Sequence, residues 1–187
     1  MVARDLLGQV LAIRRGGAWH GGTIVEVEAY LGADDPASHS WRGPTPRSSI
    51  MFGPPGTAYV YFIYGMHHCL NAVTEPEGIG AAVLIRALAP EVPIGLDVHP
   101  LALPPGRLGG PGRVCAALEV TLAMNGWDLV NRDLAVIAGA PVPGRRVVVG
   151  QRVGIQRGRE LPLSFRVAPA GALRAPGRQS AGHRLSS

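Results

Sequence analysis

The run Thr23-Ile24-Val25-Glu26-Val27-Glu28-Ala29-Tyr30 alternates apolar and polar positions with the period of a half-buried strand. Val25, Val27 and Ala29 fall on one face; Glu26, Glu28 and Tyr30 fall on the other. Strand residues two apart lie about 6.6 Å from one another, so the two carboxylates are near neighbours. Like charges side by side on a strand that otherwise favours burial are costly. An arginine partner, a metal or acid–base chemistry would account for them. From this segment alone, an edge strand with a wet polar face is the simpler account.

The same alternation recurs at Ala58 to Ile63, with Ala58, Val60 and Phe62 opposite Tyr59, Tyr61 and Ile63. Tyr64-Gly65 then signals a turn, and Met66 to Val73 returns as the partner strand. Ala81 to Leu88 is a near-continuous apolar run broken by one charge, Arg86. Arg4 to Leu7 predicts a short helix, Gln9 to Arg14 a strand, and Asp34 to Ser40 a turn or one helical turn. Arg113 to Val120 is the best helix candidate, and late strands are predicted at Arg146 to Val149, Arg152 to Gln156 and Leu163 to Val167. Many short strands with few helices predict an α+β class: a single domain with a mixed, largely antiparallel sheet and a protruding β-hairpin. At 187 residues there is room for one core. That domain is expected over 1–169, with 170–187, rich in Gly, Arg and Ser, as a mobile C-terminal tail.

A hydrophobic share of 47% and a charged share of 17% describe a folding chain rather than a disordered one. No window approaches the roughly 18 apolar residues of a membrane span, and the N-terminus lacks a signal-peptide pattern. A monomer in the cytoplasm, associated with the nucleoid and not with membrane, is the expectation. Cys69 and Cys115 form no closely spaced pair and read as small buried hydrophobes. His67-His68 and the other histidines show no ligand spacing, so neither a metal nor another cofactor is expected.

The net charge of +5 and pI near 10 favour a polyanionic partner. All 18 basic residues are arginine. Without lysine, no side-chain amine exists to form a Schiff base, and only the terminal α-amino group remains for that chemistry.

Three groups of residues then stand out. The segment from Tyr59 to Met66 holds three of the four tyrosines, and its tip, Tyr64-Gly65-Met66, carries large apolar groups where a turn is normally polar. In a basic protein that tip suits insertion between stacked bases, though a tyrosine folded back over the sheet fits the segment equally well. Arg86, inside a buried run, needs a carboxylate or phosphate nearby, and Glu26 or Glu28 would serve, in a purely structural pair or a functional one. Gly109-Gly110-Pro111-Gly112-Arg113 opens the predicted helix with bare amides and a guanidinium, a weak signal for a phosphate seat.

Together these segments resemble the mammalian-type alkyladenine (3-methyladenine) DNA glycosylase family. The resemblance rests on Ala3 to Gly8, Val27 to Gly32, Ala37-Ser38-His39-Ser40, Thr45-Pro46-Arg47, Met51-Phe52, Pro55 to Tyr61 and Ile63 to Met66. It continues at Cys69-Leu70-Asn71, Val83 to Leu88 and Gly110 to Arg113, then returns near Arg152-Val153-Gly154 and Leu163 to Val167. It implies an enzyme that flips a damaged purine out of double-stranded DNA and hydrolyses its N-glycosidic bond. Glu28 would be the general base that activates water, with Arg86 and the Val153 carbonyl around that water. Tyr30, Ala37, His39 and Tyr61 would form the base pocket, and Asn71 would help exclude guanines bearing the normal exocyclic amine. Tyr64 would fill the gap left by the flipped nucleotide, with Met66, Gly112 and Arg113 at the backbone.

Physical chemistry makes those roles coherent. Flipping costs a few kcal/mol, less at a lesion, and an inserted tyrosine offsets part of it. Aromatic walls attract a cationic alkylated purine, and an ionised Glu28 would both accept a proton and stabilise positive charge on the sugar. The absence of lysine predicts a monofunctional enzyme that leaves an abasic site.

Departures from the family pattern are His67 and His68 in place of aromatic residues, a short proline-rich stretch from Pro90 to Gly109, and Arg113 for lysine. Leu122 stands where a basic residue can occur, and Ser164 and Arg166 alter the late strand. Two other readings are a non-catalytic minor-groove DNA-binding protein, which leaves Glu28 unexplained, and a small nucleoside or glycoside hydrolase using Glu26 and Glu28 as an acid pair.

Overall fold

The computed structural model describes residues 1–102 and 108–168. The predicted tail at 170–187, and part of the Pro90 to Gly109 stretch, lie outside the described residues. In chain order the elements are α1 (Val2–Asp5), β1 (Val10–Arg15), β2 (Ala18–Tyr30), β3 (Ala58–Ile63), β4 (His67–Val73) and β5 (Ala82–Ala89). These are followed by β6 (Val98–Pro100), β7 (Leu108–Gly109), α2 (Pro111–Ala117), β8 (Leu134–Ile137), β9 (Val147–Gly150) and β10 (Ser164–Val167).

Among the described residues the strands join one sheet in the order β3-β4-β5-β2-β1-β8, with β10 on β2, β9 on β10, β6 on β2 and β7 on β5. The β2–β6 pair is parallel and the other named pairings are antiparallel. The α+β, largely antiparallel expectation holds. So does the hairpin, with β3 facing β4 from Ala58↔Ala72 to Ile63↔His67.

The carbon-rich face of the sheet packs against α2. Leu11, Ile24, Val27, Ile85 and Leu88 meet Val114, Cys115 and Leu118 in one cluster. Each such side chain contributes roughly 1.5–3 kcal/mol on leaving water. The opposite face carries a smaller cluster of Met51, Tyr59, Val73 and Ala82, with Tyr61 packed beside it. Both cysteines are free and buried, and burial pushes the Cys115 thiol up to about 12.

Four expectations are corrected. First, β2 is central, not an edge: it is bonded to β1, β5, β6 and β10. It also begins at Ala18, because Gly21 and Gly22 are places where neighbouring strands approach closely and not turn residues. A Cβ at Gly21 would stand 2.6 Å from the Leu11 carbonyl oxygen, and one at Gly22 2.6 Å from that of Ala89.

Second, Val25 does not share the core face with Val27 and Ala29. Register irregularities flank Glu26 and leave Val25 and Arg86 without Cα partners, so Ile24 turns to the core and Val25 is half-buried. A bulge shifts the side-chain phase by one residue.

Third, α2 opens two residues before the expected start and ends at Ala117. Pro111 takes the first helical position, where its missing N–H costs nothing, and Glu119 just beyond lies in the left-handed region with φ +53°. Fourth, Arg152 to Gln156 is not a strand. Gly154 has φ +77°, and the Val153 amide bonds to a side chain instead of a ladder.

Candidate active site

The end of β2, the middle of β5, the β3–β4 hairpin, the start of α2 and the loop after β9 line a cavity of about 750 Å³. Tyr59 and Tyr61 supply one wall. Their rings are 5.4 Å apart, and the His39 ring stands edge-on to Tyr61 at 4.7 Å. His39 Nδ1 shares a 2.8 Å hydrogen bond with the Tyr59 hydroxyl, which leaves Nε2 for another partner. Burial, reinforced by Arg47, pushes His39 below the usual histidine range, which favours the neutral ring. Asn71 is buried and donates Nδ2–H to the Tyr59 carbonyl at 3.0 Å.

Across from that wall sits the carboxylate cluster. Glu28 is 0% exposed and does not itself line the cavity. It lies directly behind three residues that do: Tyr30, Arg86 and Val153. The Val153 amide donates to Oε1 at 2.7 Å, and the Tyr30 hydroxyl donates to Oε2 at 3.1 Å. Arg86 spans both carboxylates, with Nε 3.2 Å from Glu26 Oε1 and 3.3 Å from Glu28 Oε1, and Nη1 3.4 Å from Glu28 Oε2.

The β2 bulge creates this arrangement. Arg86, which lacks a register partner, reaches the two acids from the neighbouring strand. Burial raises the Glu28 pKa above the usual carboxylate range, and Arg86, the Val153 amide, Tyr30 and Arg152 offset only part of that rise. Burial and the Glu28 charge push the Tyr30 phenol upward, which keeps it a proton donor.

The hairpin tip flanks the cavity. Tyr64 is 77% exposed with φ +54°, and Met66 is 68% exposed. The folded-back alternative for Tyr64 is therefore excluded. A bulky residue in the left-handed region is an outlier, held here by the tight turn in which the Met66 amide donates to the Ile63 carbonyl at 3.3 Å. Gly112 packs so closely on the hairpin that a Cβ there would meet the His67 ring at 2.9 Å.

Of the residues singled out in the sequence, Tyr30, Ala37, His39, Tyr61 and Asn71 line one cavity together with Tyr64, Arg86, Gly112, Arg113 and Val153. Met66 does not; it borders a smaller adjoining cavity of about 280 Å³ with His67, His68 and α2. No group of three or more His, Cys, Asp or Glu side chains suited to a metal occurs among the described residues.

Sequence reasoning gave no separate site role to Tyr59, Arg47, Asp35 or Arg152. Arg47 lies 4.9 Å from the centre of the Tyr61 ring. Asp35 read as part of a turn, and Arg152 as part of a strand. Their contact joins residues 117 apart, which no local pattern announces.

Residues 1–170 match the family described as Methylpurine-DNA glycosylase. The chain belongs to that family and is a DNA glycosylase, so DNA is its substrate. Among its relatives, a Myxococcus xanthus protein is 49% identical over 156 residues, covering 83% of this chain and 76% of its own length. One from Burkholderia cenocepacia is 46% identical over 173 residues (89% and 81%), and one from Methanoculleus marisnigri 47% identical over 175 (88% and 87%). The names of all three contain the words "3-methyladenine DNA glycosylase". These relatives are bacterial and archaeal, so the likeness is to the family at large and not specifically to its mammalian members. No helix among the described residues is long and apolar enough to cross a membrane.

Proposed function

We propose that the chain, acting as a monomer, extrudes a damaged purine nucleotide from duplex DNA and hydrolyses its N-glycosidic bond with water activated by Glu28. The observation that carries this reading is the placement of Glu28. It is an enclosed carboxylate whose three cavity-lining partners separate it from an aromatic chamber large enough for a purine.

Tyr30, Tyr61 and His39 would hold the base by stacking and by a hydrogen bond from or to His39 Nε2. Ala37 would give the base room, and Asn71 would oppose a guanine amine. Tyr64 would occupy the vacated stack. Met66, Gly112 and Arg113 would meet the backbone.

The hydrogen-bond lengths favour Oε2 as the reacting oxygen. Oε1 is committed to the Val153 amide at 2.7 Å, whereas both contacts of Oε2 are long, 3.1 Å to Tyr30 and 3.4 Å to Arg86. Weak, long contacts are the ones a water can displace. Oε2 would therefore take the water's proton as its oxygen attacks C1′. The negative charge also steadies the cationic sugar, and the purine leaves with the bonding electrons. Arg86 and the Val153 carbonyl would orient that water.

The lack of lysine in 187 residues supports hydrolysis that ends at an abasic site. The test is a duplex carrying one modified purine (hypoxanthine, an alkylated adenine or guanine, or an etheno adduct) cleaved by alkali after incubation. Strand cleavage only after alkali is expected. Tight lesion binding without excision would favour the DNA-binding reading instead.

A further inference from the structure

One ion pair beneath the cavity is wholly enclosed: the Asp35 and Arg152 side chains are both 0% exposed. Their contact is bidentate, Nη1 to Oδ2 and Nη2 to Oδ1, the latter at 2.8 Å. Burying such a pair adds little net stability over apolar residues of equal volume, so stability alone is a weak reason for it. Neither residue lines the cavity, yet their remaining contacts run to residues that form the site.

Asp35 accepts hydrogen bonds from the amides of Leu31 at 3.2 Å and Ala37 at 3.0 Å. Hydrogen bonds from Arg152 and these amides outweigh the effect of burial and hold the Asp35 carboxyl below its usual range. Arg152 Nη1 also donates to the Ala29 carbonyl at 2.9 Å, between Glu28 and Tyr30 in sequence. Its guanidinium carbon lies 4.7 Å from the centre of the Tyr30 ring. The residue that follows it, Val153, gives its amide to Glu28.

Gly158 closes over the pair from the same loop. Its carbonyl accepts from Nη2 at 3.3 Å, its φ is +62°, and a Cβ there would stand 3.1 Å from Arg152 Nη2. One guanidinium thus ties together strand β2, the Tyr30 ring and the loop that carries the Val153 amide.

We propose that Asp35 and Arg152 are positioning residues for the glycosylase reaction, holding Tyr30 and the Val153 amide against the Glu28 carboxylate and so fixing its orientation directly behind the chamber. Neither touches substrate. The inference rests on Glu28 being the base.

The experiment measures single-turnover excision from a hypoxanthine duplex at saturating enzyme. It also measures the active fraction by titration and the lesion-duplex Kd. The variants are Asp35→Asn, Arg152→Lys and Arg152→Gln, beside Glu28→Gln. Positional errors of about 1 Å cost on the order of a hundredfold in rate, so the rate constant per active site should fall roughly 10–100-fold in all three pair variants, with Kd within about threefold. Arg152→Lys keeps the charge but not the planar fork, so its rate should stay low.

A lower active fraction with a wild-type rate constant in any folded variant would assign the pair a purely structural role and overturn the proposal. Recovery of the rate by Arg152→Lys alone would reduce it to a charge effect, also overturning it. If Glu28→Gln excises normally, the base assignment itself fails. If Glu28→Gln is inactive while Asp35→Asn excises at the wild-type rate, only the positioning role is lost.

Discussion

The two sides of the cavity are built on opposite terms. On one side Glu28, Asp35 and Arg152 are sealed from water, and each is held by a partner from a distant part of the chain, with only Arg152 Nε left without a hydrogen bond among the described residues. On the other, Tyr64, Met66 and Phe62 stand 77, 68 and 43% exposed on a hairpin whose turn tyrosine, Tyr64, occupies a left-handed conformation. Buried charge that is paired resists displacement, and its low-dielectric surroundings strengthen every interaction it makes. Exposed apolar surface on a strained tip does the reverse. It costs free energy in the isolated protein and recovers it only on contact. Under the proposed function, the difference makes bond cleavage and DNA engagement separable, one set by a fixed hydrogen-bond geometry and the other by a surface awaiting a partner.

That separation is broken or sharpened by substitution. The largest effect is expected for Glu28→Gln. General-base catalysis is worth about 10²–10⁴ in rate, and the carboxylate's stabilisation of sugar charge adds to it. Excision should fall at least about a thousandfold by these terms, with lesion-duplex Kd unchanged. Because burial raises the pKa of Glu28, its ionised form is disfavoured in the fold. The amide should leave Tm unchanged or higher by calorimetry.

Arg86→Gln comes next, with a roughly 10–100-fold slower single-turnover rate on the scale of second partners to a reacting group. Arg86 favours the charged form of Glu28, so its loss should move the acid limb of the pH–rate profile to higher pH. Leaving buried Glu28 and partly buried Glu26 without this cation should also lower stability by about 3 kcal/mol in urea unfolding.

On the other side, Tyr64→Ala should weaken the lesion-duplex Kd by about 5–150-fold, since base–aromatic stacking is worth about 1–3 kcal/mol. The saturated rate constant should change less, and Tm should not fall. An equal loss in both parameters would merge the two regions that the comparison separates. The smallest effect is a graded one: log Kd should rise with log salt at about 0.9 per phosphate contacted. A flat response would remove the arginines from the DNA interface.

How much of this was legible in the sequence depends on range. The first hairpin strand was readable to the residue and the second to within one, Met66 lying in the turn, because alternation from Ala58 to Ile63 and the Tyr64-Gly65 turn are local signals. The first half of β2 was not, since Gly21-Gly22 mimics a turn and only the neighbouring strands explain it. That Arg86 would pair with Glu26 or Glu28 followed from the cost of a lone buried charge; that it spans both did not. The bulge that enables it did not, because register is decided between strands. Asp35 and Arg152 carry no local mark, and the Arg152 to Gln156 stretch imitates a strand while its amide and guanidinium serve side chains and loops.

The most direct test of the central claim is the pH dependence of the single-turnover excision rate for wild type and Glu28→Gln on one hypoxanthine duplex. With Glu28 as the base, the wild-type rate should fall as pH drops through a midpoint above the usual carboxylate range, where the raised pKa of Glu28 lies. The residual rate of the variant should show no such limb. An identical acid limb in both proteins would place the titrating group elsewhere and contradict the account.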